Sequence, residues 1–353
     1  MHALVYHGVG QKSWDEVPDP RLQDDFDAIV GIEAATICGT DLHILMGDVP
    51  EVTPGRVLGH EAVGVVEAVG SAVRSVQPGD RVVVSCINGC GICRFCRQGR
   101  YGQCLGGGGW VLGHLIDGVQ AEYARIPFAD TSLYRLPSSM SAEAAVLLAD
   151  ILPTSYEVGV LAGRVRPGDT VAVVGAGPIG LAAVMTARLF SPAHIIVIDP
   201  VVSRLDAAKR FGADVVVANG PTQPEPADLV MDLTGGLGAD VVIEAVGKPE
   251  TFELCTRLVR PLGHVANIGV HGAPATLHLE TLWTKDVTIT TGLVDTSSTA
   301  ELLGLVANRQ IEPNPLVTHT FALSEVMTAY DVFSRAGETG ALKVVMTKEH
   351  VAS

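Results

Sequence analysis

The sequence predicts an α/β protein of two domains, one of them a doubly wound parallel sheet, on three observations. The chain has 353 residues, more than one compact core usually holds. Residues 169–199, DTVAVVGAGPIGLAAVMTARLFSPAHIIVID, set out a strand, a glycine turn, a helix, a second strand and a terminal acid in that order. Five of the seven cysteines fall between Cys86 and Cys104, a cluster that needs its own explanation.

Composition narrows the class before any motif is weighed. The chain is 47% hydrophobic, and its 39 glycines and 20 prolines are scattered, which describes a turn-rich globular protein with ample core. A net charge of −15 with no basic stretch to offset it argues against nucleic acid as a partner. The opening MHALVYHGVGQ lacks the basic head and apolar run of a signal peptide. Residues 170–187 are uncharged and long enough to span a bilayer, but three glycines and a proline between 175 and 180 favour strand, turn and helix. A soluble, cytoplasmic protein with no membrane contact is expected, and disulfides are disfavoured there.

Within 169–199, the β-rich TVAVVG leads into Gly175, Gly177, Pro178, Ile179 and Gly180, the first cofactor-binding candidates. Glycines at these positions let backbone amides approach a pyrophosphate at a helix N-terminus, where partial positive charge collects. Asp199 ends the second strand, where a carboxylate accepts hydrogen bonds from an adenosine ribose and repels a 2′-phosphate. No cation follows before Arg204, a further cofactor candidate, so NAD is favoured over NADP. Further strands are expected in GADVVVA, GADVVIEAVG and GHVANIGV, with a helical stretch in TFELCTRLVRP. The three prolines of PTQPEP, residues 221–226, are expected to prevent a regular helix from starting there and to shorten one crossover.

Cys90, Cys93, Cys96 and Cys104 are spaced C-x2-C-x2-C-x7-C. Two-residue gaps turn successive thiolates towards one point, and the longer gap loops round to a fourth, a set that suits tetrahedral structural zinc. An iron–sulfur cluster, a redox dithiol and a disulfide are the other readings; in the iron proteins the fourth cysteine usually comes sooner and precedes proline. Four protein ligands leave no place for substrate, so this metal would hold a lobe of about residues 86–110 and do no chemistry.

A second, open metal site is read from CGTDLH and GHEAVGVV. Cys38 follows the strand-like AIVGIEAATI, and His60 adjoins Glu61; Asp41 could orient the imidazole. A buried thiol and a satisfied core histidine are the bland reading of this pair. Asp150 is the third ligand candidate, the only charged residue between Ala144 and Thr154 in an apolar run. A lone carboxylate there would be costly unless paired, neutralised, metal-bound or used as a helix cap.

With CGTDLH, GHEAVGVV, the four-cysteine lobe, GDRVVV, VGAGPIG and ALKVVM on the page, the chain resembles the zinc-dependent medium-chain alcohol dehydrogenases over nearly its whole length. GWVLGHLIDGVQAEY and ADILPT are similar to bacterial enzymes for secondary and mixed alcohols. The resemblance implies a GroES-like, mainly β catalytic domain built from both chain ends (1–152 and 294–353) around a Rossmann NAD-binding domain (153–293). It implies hydride transfer between NAD and a primary or secondary alcohol, with two zinc ions per chain and a homotetramer or homodimer. It assigns a proton relay to Thr40 and His43, metal tuning to Glu61, and substrate contacts to Cys86 and Trp110. Cofactor contacts fall to Thr154, Ile268, Gly269, Val270, Gly292, Leu293, Val294 and Lys343. The chain departs from the animal liver-type pattern in Asp150, where a cysteine is usual, and in Gly39, where a phosphate-binding arginine often stands. The alternatives are a polyol or amino-alcohol dehydrogenase of the same superfamily, or a non-catalytic NAD-binding protein.

Overall fold

The computed structural model describes residues 1–220 and 223–348, so Pro221 and Thr222 of the proline-rich stretch and residues 349–353 lie outside the described residues. The chain divides into two compact units, Thr154–Val294 and Met1–Pro153 with the residues from Asp295 on.

In the unit Thr154–Val294 one sheet holds six strands, all parallel. From edge to edge they are Val215–Ala218, His194–Asp199, Thr170–Val174, Ala239–Glu244, Val259–Asn267 and Thr288–Thr291. Numbered along the chain the order is 3-2-1-4-5-6, the doubly wound arrangement in which direction reverses beside the first strand. Parallel strands are covered on both faces and read as unbroken apolar runs; Ile195–Asp199 and Val171–Val174 are buried at every residue. The uncharged stretch 170–187 is a strand, Thr170–Val174, and a helix, Pro178–Ala187. No helix of the described residues is long and apolar enough to cross a membrane.

Two expectations for this unit need correction. The PTQPEP stretch does start a regular helix, Pro226–Leu233, because a proline at the first helical position gives up only an amide that has no partner anyway. The helix expected in TFELCTRLVRP is Pro249–Leu258, and Val259 already belongs to the next strand. Pro261 disfavours helical backbone at the residue before it.

The other unit is mainly β. Its large sheet runs Val317–Ala322, Lys343–Thr347, Ala28–Thr36, Ala62–Val69, Arg81–Val84 and Leu133–Arg135, with Tyr123–Ile126 also paired to Ala28–Thr36. A smaller sheet joins Gln11–Glu16, His2–Gly8 and Arg56–Val57. Both ends of the chain therefore enter one sheet: Val345, Met346 and Thr347 face Thr36, Ala35 and Ala34 in antiparallel register. Its core of Leu4, Val30, Ile32, Ile37, Leu58, Val66, Val84 and Leu112 extends to Val326, Tyr330 and Val344 from the later segment.

The tightest point of the parallel unit is the glycine turn. Gly175 has φ +105, and a Cβ on Gly180 would sit 1.9 Å from the Gly175 carbonyl oxygen. Gly180→Ala should therefore push the helix off its strand, with an overpacking cost of about 1–3 kcal/mol. A thermal melt within error of the parent's would show that this approach is slack.

Candidate functional site

Cys38 leaves the strand Ala28–Thr36 and caps the helix Gly39–Met46, His60 and Glu61 precede the strand Ala62–Val69, and Asp150 precedes the helix Ile151–Thr154. One ligand atom from each of Cys38, His60, Glu61 and Asp150 lies within 4.8 Å of all the others. The Cys38 Sγ to Asp150 Oδ2 separation is 3.7 Å, and His60 Nε2 to Asp150 Oδ2 is 3.5 Å. Tetrahedral zinc with Zn–S of about 2.3 Å and Zn–N or Zn–O of about 2.0–2.2 Å spaces its ligands by about 3.3–3.8 Å. The donor set and its separations fit zinc.

The electrostatics ask for a cation. Four acidic side chains, Cys38, Asp41, Glu61 and Asp150, gather where the one buried ammonium among the described residues is Lys343, with its Nζ 2.9 and 2.7 Å from the Glu61 oxygens. Burial pushes up the Cys38 thiol, to which the charge of Asp150 adds, and burial pushes up the carboxyls of Asp41 and Glu61. Burial alone would lower the His60 imidazole, but hydrogen bonding to Asp150 and Cys38 holds it well above the usual range. A dication bound here relieves all of these at once, because it stabilises thiolate, carboxylate and neutral imidazole together.

Behind the cluster runs a chain of polar groups that sequence reasoning missed beyond Asp41. The Cys38 amide and Gln120 Nε2 both donate to Asp41 Oδ2, at 2.9 and 3.1 Å. Tyr330, buried, donates its hydroxyl to Gln120 Oε1 at 2.8 Å. Asp41 Oδ1 is left 3.8 Å from His60 Nδ1, and neither atom has a hydrogen-bond partner. Gln120 has no room to withdraw, since it packs on Gly59, where a Cβ would lie 2.4 Å from its Cγ.

The remaining candidates in this unit lie around the same cluster, with one exception in role. Thr40 Oγ1 is 3.6 Å from Cys38 Sγ, and His43, one turn on, has a half-buried ring donating from Nδ1 to Asp48 at 2.7 Å. Cys86 is buried, and burial first, then the charge of Asp150, pushes its thiol well up. The Trp110 indole meets the His60 ring edge-on at 6.2 Å. Gly39 is exposed, and a Cβ on it would meet nothing within 4 Å. Lys343 is the exception: expected at the cofactor, it is buried instead, with its ammonium on Glu61 and the Ile37 carbonyl. An ammonium sunk beside a carboxylate is held there by the cost of separating two buried charges.

The four-cysteine group is a second closed set. Cys90, Cys93, Cys96 and Cys104 bring their sulfurs within 4.8 Å of one another, with Cys90 and Cys96 at 3.9 Å, and all seven cysteines are free thiols. Backbone amides of Cys96 and Leu105 donate to Cys93 Sγ, bringing that thiol down to about 6, as thiolate ligation requires. The lobe is fastened by Asp295, which accepts from Arg100 at 2.9 Å and from the Gly102 amide at 3.0 Å.

In the parallel unit, the cofactor candidates stand at the C-terminal ends of the strands, where open α/β sheets take their ligands. Gly175 follows Val174, Asp199 ends its strand, Ile268–Val270 follow Asn267, and Gly292–Val294 follow Thr291. A Cβ on Gly177 would meet nothing within 4 Å, so the helix start beneath Pro178 and Ile179 is open to an anion. Asp199 accepts from the Ala176 and Val201 amides, both at 2.8 Å, with Arg204 Nη1 at 4.0 Å.

Comparison with known proteins finds two domain families in the chain. The alcohol dehydrogenase GroES-like domain matches residues 24–138, and the zinc-binding dehydrogenase family matches residues 178–308. An alcohol dehydrogenase of Cupriavidus necator is 36% identical over 98% of this chain and 98% of its own length. The NADP-dependent isopropanol dehydrogenase of Thermoanaerobacter brockii is 35% identical over 91% of this chain and 92% of its own. The solved apo form of zinc dependent alcohol dehydrogenase 2 from Streptococcus pneumonia has a TM-score of 0.95 at 46% identity, with 100% of both chains covered.

Two substitutions separate the metal groups. Asp150→Asn keeps size but removes an anion, so zinc affinity by chelator competition should fall by at least about tenfold; as a mere helix cap, asparagine would change little. Cys93→Ser should lower the melting temperature and leave kcat nearly intact in the folded fraction. A large kcat loss in a stably folded Cys93 variant would move that metal from scaffold to chemistry.

Proposed function

The chain belongs to the zinc-dependent medium-chain alcohol dehydrogenases and is a zinc oxidoreductase acting on alcohols; we propose that it uses NAD, and that its substrates are primary or secondary alcohols and their aldehydes or ketones. The grouping of Cys38, His60 and Asp150 with Glu61 carries the catalytic part of this reading. These three residues hold a catalytic zinc, which supplies Lewis acidity that makes an alcohol hydroxyl a stronger acid. Thr40 would accept the hydroxyl proton as it passes its own on towards His43, which, oriented by Asp48 and partly exposed, delivers a proton to solvent. A nicotinamide cofactor held by the parallel unit would supply the hydride acceptor, so that the alcohol, losing two electrons and two hydrogens, would become a carbonyl. Glu61, paired with Lys343, adjusts the charge behind the metal, and Cys86 and Trp110 shape the substrate end. The four lobe cysteines hold a second, structural zinc.

Asp199 carries the choice of NAD. Its carboxylate, fixed by two backbone amides, is an acceptor for a ribose hydroxyl and a repulsive neighbour for a 2′-phosphate. Thr154, the glycine loop, Arg204, Ile268–Val270 and Gly292–Val294 complete the cofactor contacts. The protein works as a cytoplasmic homotetramer with no nucleic-acid or membrane partner. The exposed Leu277, Leu279 and Trp283, 75% exposed, support a covered face close in sequence to the edge strand Thr288–Thr291.

The direct test follows NADH absorbance with simple primary and secondary alcohols beside sorbitol and threonine, together with zinc analysis. Two zinc ions per chain and preferred oxidation of a simple alcohol are expected; preference for sorbitol or threonine would overturn the substrate class. Asp199→Gly should shift the NAD to NADP ratio of kcat/KM towards NADP by at least roughly tenfold, and an unchanged ratio would remove Asp199 from cofactor choice.

A further inference from the structure

We infer that Glu244 is a positioning residue for the nicotinamide half of the cofactor, an inference that rests on the reading of Thr154–Val294 as the cofactor unit. Glu244 ends the fourth strand of the sheet, Ala239–Glu244, and is fully buried. In a doubly wound sheet the first three strands serve one mononucleotide and the last three serve the other. With Asp199 at the end of the second strand taking the adenosine ribose, Glu244 belongs to the nicotinamide side.

Among the described residues no lysine or arginine pairs with this carboxylate, and its ionisable neighbour is His271, with Nε2 at 3.6 Å. Backbone and hydroxyl donors hold it instead. Glu244 Oε1 accepts from the Val246 amide at 3.0 Å, the Gly247 amide at 2.9 Å and Thr251 Oγ1 at 2.7 Å. The backbone carbonyl of the same residue accepts from the amides of Ile268 and Gly269, at 2.9 and 3.2 Å. One residue thus ties the turn 245–247 to the segment 268–270.

The two segments touch backbone to backbone around it. A Cβ on Gly269 would lie 2.2 Å from the Gly247 nitrogen and 2.3 Å from Glu244 Oε2, and one on Gly247 would lie 2.2 Å from the Val270 carbonyl oxygen. His271 Nε2 meets Asn267 Oδ1 at 2.9 Å, and Asn267 Nδ2 donates to the Gly269 carbonyl at 3.0 Å, so the far side of the segment is fastened too. A buried carboxylate is costly unless its lone pairs are filled. Here it accepts only from donors, and a neutral amide would turn hydrogens towards one or more of them. The carboxylate therefore fixes the turn 245–247, on which the 268–270 backbone packs, and 268–270 is the segment assigned to the nicotinamide.

The test compares ADP-ribose, which lacks nicotinamide, with NAD and NADH. Dissociation constants are measured by fluorescence or calorimetry on the zinc-loaded protein, with a melt to establish folding. Glu244→Gln should weaken NAD and NADH by at least roughly tenfold and leave ADP-ribose within about twofold. Thr251→Val should move the same ratio in the same direction, and Thr251→Ser should restore it. An unmoved ratio in either folded variant, or equal losses for all three ligands, would overturn the positioning role. If Glu244→Gln does not fold, the Thr251 pair decides. Failure of ADP-ribose to bind the parent protein would instead reject the cofactor reading beneath it.

Discussion

Placing Cys38, Asp41, Glu61 and Asp150 inside one unit where, among the described residues, Lys343 is the single buried ammonium is the constraint on which the metal half of this protein depends. Buried like charges are tolerated only when a cation or a full set of hydrogen bonds answers them. Lys343 answers Glu61. Gln120 and the Cys38 amide answer one oxygen of Asp41, and its other oxygen is left to His60. Cys38, His60, Glu61 and Asp150 nevertheless bring one ligand atom each within 4.8 Å of one another. Lys343, Gln120 and the Cys38 amide thus do more than steady their partners, for they take up part of the negative charge around the cluster.

The cofactor half rests on a different physical device. Its anion-binding edge has few charged side chains and relies on backbone amides brought close by glycine. Gly175 and Gly180 touch in this way at one switch of the sheet, and Gly247 and Gly269 touch at the next strand boundary. In both places an acid at a strand end, Asp199 or Glu244, accepts amides from the adjoining turn. The two acids are structural counterparts, although the first reaches back to the glycine loop and the second joins two loops of its own half.

Legibility in the sequence follows the range of the interactions. Ligands separated by two or three residues, as in the cysteine lobe, and a glycine loop bracketed by strands could be read because spacing alone limits where such side chains can go. Asp150 could be found as a lone charge in an apolar run, a signal of burial rather than of place. Lys343 could not: its charge demands a partner, but nothing local says that the partner is Glu61, 282 residues away. Gln120 and Tyr330, 210 residues apart, gave no signal at all, since a neutral amide and a phenol are ordinary at a surface. The helix start at Pro226 is hidden in a run of prolines, because the effect of proline depends on its position and is harmless only in the first turn.

The β unit is closed by strands from opposite ends of the chain, and the Thr36 hydroxyl donates to the Val344 carbonyl across 308 residues. The whole of the parallel unit is encoded between them. During synthesis, therefore, the Ala34–Thr36 end of the strand, beyond the stretch Ala28–Gly31 that pairs with Tyr123–Ile126, lacks its partner until nearly the entire polypeptide has been made. The uninterrupted parallel unit can fold as soon as it clears the ribosome, as domains generally do. A nascent chain of this design carries an exposed, apolar sheet edge through most of its translation, and such edges recruit other strands. Its vulnerability to aggregation is set by elongation time and chaperone cover, and the late arrival of Lys343–Thr347 both seals that edge and delivers the counter-charge to Glu61.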